Sequence, residues 1–309
     1  MAQYLVTGGA GFIGSNVIRK LLELGHQVRV LDNFLTGKRE NLTEVKYDID
    51  LREGDLRDFD TVRTAVKACD YVLHFGALPS VPRSVENPLR SHDININGTL
   101  HILEAARHEG VKRVVFSSSS SVYGDTPTLP KQEDMPLHPL SPYATNKATG
   151  EMYCGVYHRI FKLETVCLRY FNVFGPRQDP TSQYSAVIPK FIAAFQSGDQ
   201  PTIHGDGEQS RDFTYVDNVV FANIAASTAR HAEGSVINVA CGSRITINQL
   251  AQKIGTLLGK EVKPYYEPPR AGDVKHSLAD ITKARELLGY SDMVDIDAGL
   301  DRTIEWFTH

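Results

Sequence analysis

Tyr143 and Lys147 stand four residues apart in the run Tyr143-Ala144-Thr145-Asn146-Lys147. On a helix that spacing puts both side chains on one face. A phenol is a weak base near neutrality, because its ordinary pKa is about 10. A neighbouring ammonium favours the phenolate and brings it toward the working range. Upstream, the serines Ser117 to Ser121 follow the apolar Val114-Val115-Phe116. One of these hydroxyls can bond a substrate oxygen and relay its proton to Tyr143. These residue types suit removal of a proton from an alcohol, the first half of an oxidation.

The N-terminal region offers a place for the oxidant. Gly8, Gly11 and Gly14 lie between the apolar Tyr4-Leu5-Val6 and a stretch with helical apolar spacing: Phe12, Ile13, Val17, Ile18, Leu21 and Leu22. Strand, tight turn and helix let the backbone approach a pyrophosphate, and the helix N-terminus supplies free N–H groups. The spacing is G-x-x-G-x-x-G, not the common G-x-G-x-x-G. A second apolar strand over 27–31 ends in Asp32. A carboxylate there binds both ribose hydroxyls and repels a 2′-phosphate, so NAD is expected over NADP. The cationic nicotinamide would further favour a Tyr143 phenolate, and Lys147 can hold its ribose.

The elements that must position these residues alternate to about residue 170. Strands are expected at 3–7, 27–32, 48–53, 70–75, 112–118 and 164–170. Helices are expected at 12–24, 57–67, 92–109 and 143–161. Such alternation specifies an α/β fold with a doubly wound parallel sheet, the Rossmann arrangement, with ligands at the carboxyl ends of its strands. After residue 172 prolines interrupt the pattern, and a smaller α/β substrate-binding domain is expected over 172–309. The first domain covers 1–171 and is rejoined by about 214–239, through a helix near 215–230 and a strand near 235–239.

Composition narrows the class. The chain has 309 residues, a formal net charge of −4 and no basic stripe, which argues against a nucleic-acid partner. The four cysteines have neither disulfide nor metal spacing, so reduced thiols, no metal and a cytoplasmic protein are expected. Residue 4 already belongs to a strand, which leaves no room for a signal peptide. No apolar run approaches membrane-spanning length.

The motifs TGGAGFIG, SSSSSVYGD, SPYATNK, LRYFNVFGP, GDGEQSRDFTYVDN and RAGDVKHSLAD, in this order, span essentially the whole chain. Together they resemble the extended short-chain dehydrogenase/reductase family, and within it the UDP-sugar 4-epimerases, especially those acting on UDP-N-acetylglucosamine. The resemblance implies that Ser119, Tyr143 and Lys147 are catalytic. It implies NAD contacts from Gly8, Gly11, Phe12, Ile13, Asp32 and Asn33, then from Asp55, Leu56, Phe75, Ala77, Asn95 and Tyr170, with Tyr143 and Lys147. Nucleotide-diphosphate contacts would come from Asn172, Val187, Arg211, Arg270 and Asp273. Arginines suit a diphosphate bidentately. Sugar contacts would come from Ser80, Ser118, Ala186 and Ser277. A large aromatic at position 277 excludes an N-acetyl group in such enzymes, whereas a serine admits it.

The implied reaction is oxidation at C4, rotation of the 4-keto sugar and re-reduction on its other face. The implied substrates are UDP-GlcNAc/UDP-GalNAc, with UDP-Glc/UDP-Gal as a second pair, and a homodimer is implied as well. Related dehydratases and decarboxylases carry an acid where Ser120 and Ser121 stand, which argues against elimination chemistry. UDP-glucuronate epimerases often have Arg-Pro where this chain has Asp179-Pro180. A non-catalytic NAD-binding module would have no need of Ser119, Tyr143 and Lys147 together.

Overall fold

The computed structural model describes residues 1–180, 186–269, 274–291 and 293–308. Its first half alternates strand and helix: β1 (Gln3–Thr7), α1 (Phe12–Glu23), β2 (Gln27–Asp32), β3 (Ile49–Glu53), α2 (Phe59–Val66) and β4 (Tyr71–His74). Two short helices follow, α3 (Val81–Glu86) and α4 (Pro88–His92), then a π-helical turn over Asp93–Asn97 and α5 (Gly98–His108). β5 (Arg113–Ser119), α6 (Pro142–Phe161) and β6 (Glu164–Tyr170) complete this half.

The second half has β7 (Val173–Phe174), α7 (Val187–Gln196), β8 (Thr202–His204), β9 (Ser210–Arg211) and β10 (Thr214–Tyr215). It continues with α8 (Val216–Thr228), β11 (Val236–Val239), β12 (Ile245–Thr246), α9 (Ile247–Leu257) and β13 (Tyr265–Glu267). α10 (Thr282–Leu288) and α11 (Ile296–Thr308) end it.

One seven-stranded sheet, ordered β11-β6-β5-β4-β1-β2-β3 and parallel throughout, organises the molecule. This is the doubly wound arrangement. Its central strands, β1, β4, β5 and β6, are buried on both faces and read largely as apolar runs, whereas the edge strand β3 is largely exposed. α1 and α8 close one face, around Val17, Ile18, Val219 and Ala222. α2, α5 and α6 close the other, around Val62, Ile102, Leu103 and Cys154. The chain leaves the sheet after β6 and comes back through α8 to β11, which pairs with β6. Arg113 ties this return down. Its guanidinium donates to Ala226 O (2.8 Å) and Ala229 O (2.7 Å) at the end of α8, where a cation suits the helix dipole.

The first six strands lie within a residue of their expected bounds. The helix expected at 92–109 differs. Helical turns begin at Pro88, with Asn87 capping them by accepting from Arg90 N (3.0 Å), because proline suits a first helical position. The π-helical turn then interrupts the run before α5. α6 starts where Ser141 accepts from Ala144 N (3.2 Å) and Pro142 stands at its first position.

Parallel register aligns the strand ends. Thr7 pairs with His74, His74 with Phe116, and Ser119 with Tyr170. Thr7, Asp32, His74, Ser117 to Ser119 and Tyr170 therefore share the carboxyl edge of the sheet.

Candidate functional site

A cleft of about 660 Å³ runs along that edge. One end is built by the glycine turn. Gly8 has φ +67°, and a Cβ there would lie 2.7 Å from the nitrogen of Gly76, so the turn and the loop after β4 touch backbone to backbone. Gly14 lets α1 sit on the turn, since a Cβ there would come 2.5 Å from Gly8 O. α1 opens at Gly11, which has no side chain to cap it, and Gly11, Phe12 and Ile13 line the cleft. The first-turn amides of an uncapped helix are an anion site. These residues fit a dinucleotide pyrophosphate.

Asp32, at the end of β2, lines the same cleft and is 7% exposed. Its carboxylate accepts from Ala10 N (2.9 Å) and Phe34 N (2.8 Å). Burial raises its pKa, and those backbone bonds pull the other way. Asn33, Asp55 and Leu56 line the cleft alongside. Asn33 donates to Asp55 at 2.8 Å, and Arg57 grips Asp55 with two bonds of 2.9 Å. The guanidinium holds that carboxyl well below the usual range.

At the other end, three consecutive residues of β5 meet three successive turns of α6. Lys147 donates from Nζ to Ser117 O at 2.6 Å. Ser118 donates from Oγ to the Glu151 carboxylate. Ser119 faces the Tyr143 phenol closely enough to lower its pKa. Residues 143, 147 and 151 share one helix face, and that face is tied to the end of β5 through Lys147 and Glu151. Ser119 Oγ also accepts from Ser121 N (3.2 Å) and Ser121 Oγ (2.9 Å). With both lone pairs filled, its own proton is left to donate on the side of the Tyr143 phenol.

Burial pushes the Tyr143 phenol up to about 12, and Ser119 opposes that rise. Burial takes Lys147 down to about 8, with the Glu151 charge opposing. The Lys147 nitrogen is 5.8 Å from the Tyr143 ring centre. The sequence leads one to expect the ammonium to make Tyr143 acidic; in the fold, desolvation outweighs it. Glu151 is itself buried and takes two bonds from Arg169, at 2.9 and 2.7 Å.

Phe75, Ala77, Ser80 and Tyr170 also line the cleft, with the Tyr170 hydroxyl donating to Asn223 Oδ1 at 2.9 Å. Asn95 does not line it. Its side chain clamps Leu78, accepting from Leu78 N (2.7 Å) and donating to Leu78 O (3.1 Å), and it is buried. A direct contact expected of Asn95 is replaced by support of the loop. Ser118 borders the cleft, but its hydroxyl proton is committed to Glu151.

A second cavity of about 240 Å³ adjoins, sharing Asn172 and Ala186 with the cleft and adding Val187 and Arg211. Arg211 donates to Ser210 O (3.0 Å) and Lys275 O (3.1 Å). Ser277 stands behind this junction. Its Oγ accepts from Asn172 Nδ2 (3.1 Å) and Asp212 N (3.4 Å), so it orients Asn172 and does not itself line either cavity. Arg270 and Asp273 lie outside the described residues.

Three supports escape a reading of the sequence alone. His74 and Glu151 are buried polar groups within otherwise apolar elements. Ser84 accepts from Tyr143 N (3.0 Å) and ties α3 to the start of α6. The position of Glu151, one turn past Lys147, is the one available signal. Among the described residues, no group of three or more His, Cys, Asp or Glu is placed to hold a metal. Nor is any helix among them long and apolar enough to cross a membrane.

Comparison with known proteins places this architecture. Residues 4–240 match the model of the NAD dependent epimerase/dehydratase family. A putative UDP-glucose 4-epimerase of Methanocaldococcus jannaschii is 39% identical over 305 residues, covering 98% of this chain and 97% of the relative. The solved UDP-N-acetylglucosamine 4-epimerase of Methanobrevibacter ruminantium, in complex with UDP-N-acetylmuramic acid, is 43% identical. It superposes with a TM-score of 0.94, covering 99% of this chain and 98% of that one. The UDP-glucose 4-epimerase of Thermotoga maritima, solved with UDP-glucose, is 40% identical with a TM-score of 0.95, over 99% and 98% of the two chains.

Proposed function

The chain belongs to the NAD dependent epimerase/dehydratase family, and from that premise we propose that it inverts C4 of UDP-hexoses through a transient 4-keto sugar. The observation that carries this reading is the joining of Tyr143, Lys147 and Ser119 at one end of a cleft whose other end is a dinucleotide turn. Gly8, Gly11, Phe12 and Ile13 hold the NAD pyrophosphate, and Asp32 the adenosine ribose, with Asn33, Asp55 and Leu56 beside them. Phe75, Ala77 and Tyr170 flank the nicotinamide half. Asn172, Val187 and Arg211 hold the nucleotide diphosphate, together with Arg270 and Asp273. In domain terms, 1–171 with the return over about 214–239 binds NAD, and the remainder of 172–309 binds the UDP-sugar.

Tyr143 takes the proton of the 4-hydroxyl, with Ser119 donating to the phenolate oxygen that results from its own deprotonation. Lys147, anchored on Ser117 O, keeps a positive charge near that phenolate. Bound NAD would supply the hydride acceptor and donor for C4, and the positive charge of its ring would favour the Tyr143 phenolate against the burial cost. Inversion requires the diphosphate to stay gripped while the keto sugar turns over. The carboxylates lining the cleft among the described residues are engaged elsewhere: Asp32 with Ala10 and Phe34, Asp55 with Arg57, Asp179 with Lys38. None is paired with Ser119 or Tyr143, which favours epimerisation over elimination.

The small Ala186 bordering both cavities, with a serine and no large aromatic at 277 behind Asn172, supports UDP-GlcNAc/UDP-GalNAc as the preferred pair, with UDP-Glc/UDP-Gal as the second. A homodimer through α6 is supported by Met152, Val156 and Ile160, a one-turn-spaced apolar stripe exposed by 61%, 37% and 68%. Four free thiols support a cytoplasmic location.

Purified protein incubated without added NAD, separately with UDP-GlcNAc and UDP-Glc, tests the reading. Conversion to the C4 epimer at unchanged mass is expected, faster for the N-acetylated sugar. A product of altered mass, or no conversion even after NAD is added, would overturn it.

A further inference from the structure

His74 ends β4 beside the cleft but lines neither cavity. It is 2% exposed, with hydrogen bonds on both ring nitrogens. Nδ1 lies 2.7 Å from Thr7 Oγ1, and Nε2 lies 3.0 Å from Thr99 Oγ1. The directions of these bonds follow from their neighbours. Thr99 Oγ1 donates its single proton to Asn95 O at 2.6 Å, so toward His74 it can only accept. Nε2 therefore carries the ring proton. In a neutral ring Nδ1 is then an acceptor, and Thr7 donates to it. Thr7 Oγ1 in turn accepts from Gly76 N at 3.1 Å. One directed chain results: Gly76 N–H to Thr7, Thr7 to His74, His74 to Thr99, Thr99 to Asn95 O.

Both ends of the chain govern one loop. Gly76 is reached through Thr7. Leu78 is reached through Asn95, whose side chain clamps its N–H and C=O. Between them Phe75, Gly76 and Ala77 line the cleft, directly against the glycine turn at Gly8. An imidazolium would leave the Thr7 proton without an acceptor. The charge that acts on His74, Lys147 on α6, is a cation and disfavours a second one. Thr7 on β1, Thr99 on α5 and the Phe116 ring on β5, 5.9 Å away, also face it, and none of them titrates.

We propose that His74, fixed as the neutral tautomer protonated on Nε2, is a positioning residue that holds the loop 75–78 in register with the glycine turn and so retains NAD in the cleft. The proposal rests on the assignment of that cleft to NAD. Two readouts test it on the whole protein. The first is ¹⁵N NMR of histidine-labelled protein, with His74 identified by its absence in His74→Gln. Its Nδ1 should resonate as a bare ring nitrogen and its Nε2 as a protonated one, unchanged from about pH 5.5 to about pH 8. A ring protonated on Nδ1, or titrating in that window, would overturn the proposal.

The second is NAD retention after gel filtration, in Thr7→Val and Thr99→Val. Both should lose bound NAD roughly tenfold faster, with UDP affinity unchanged, and Thr7→Ser should restore retention. Variants that hold NAD as firmly as the parent would overturn the role of His74 alone. A parent protein that neither carries nor takes up NAD would instead overturn the assignment of the cleft. Thr7→Ser also separates a missing hydroxyl from a misfolded chain.

Discussion

Ser118 donates its hydroxyl proton to the carboxylate of Glu151, across the interface between the central sheet and α6. The acceptor is also held by Arg169, and both charges are buried. Ser118→Ala should therefore act on stability and leave substrate binding alone. The expected loss is about 1–3 kcal/mol, the cost of a buried acceptor deprived of a donor, with KM for the UDP-sugar unchanged. Denaturant unfolding and steady-state kinetics separate the two effects. A raised KM at unchanged stability would make the hydroxyl a sugar contact.

Tyr143→Phe removes the phenol that faces Ser119 from α6. Turnover should fall by about 10²–10⁴-fold, while NAD content and UDP affinity stay at the parent level. Activity close to that of the parent would end the case for Tyr143 as the base.

Ser277 accepts from Asn172, which borders both cavities. Ser277→Tyr replaces this support with bulk beside the sugar position. Conversion of UDP-GlcNAc should fall about tenfold more than conversion of UDP-Glc. Equal losses on the two sugars would remove position 277 as a size filter.

His74 also sets an acid limit on the fold. Burial takes its imidazole down to about 3, against an ordinary value of 6.5. Between those values the unfolded chain binds the proton and the folded chain does not. Stability from this group is thus complete above about pH 6.5 and is lost as pH falls toward 3, on the order of 5 kcal/mol in all. Urea midpoints across that range should drop less in His74→Gln than in the parent. Parallel slopes would show that acid sensitivity arises elsewhere.

The exposed stripe on α6 yields a prediction about assembly. Ile160→Glu places a charge on the most exposed residue of an apolar stripe that a second copy would cover. Sedimentation should change from dimer to monomer, with little change in the melting behaviour of the isolated chain. A parent protein that sediments as a monomer would remove the premise.

The sequence is most legible where neighbours along the chain determine the outcome. Parallel strands buried on both faces appear as apolar runs, which bounds β1, β4, β5 and β6 to within a residue, and the strand–helix alternation places β2 and the exposed edge strand β3 as closely. Tyr143 and Lys147 are visible because helix periodicity alone puts them on one face. Pro88 preceded by Asn87 marks an earlier helix start than apolar spacing suggests. Beyond Asn172 the order is harder to read, since β7, β9, β10 and β12 have two residues each and pair with distant partners. Contacts such as Thr7 with His74, or Ser277 with Asn172, depend on register between remote segments, and no local pattern encodes them. Asn95 shows the same limit: its helical position is readable, but its grip on Leu78 is not.

The attachment of Ser117 to Lys147 and of Ser118 to Glu151, with Ser119 facing Tyr143, makes the geometry of the proposed catalytic group discrete. A strand can slip only by whole residues, and a slip of one reverses which face every side chain occupies. Inserting or deleting a single residue in β5 would misplace all three pairs at once, so no series of small displacements leads from this arrangement to a neighbouring one. Directed evolution of this enzyme would find its gradual adjustments in the walls around the sugar, while the proton-handling apparatus is inherited whole or lost whole.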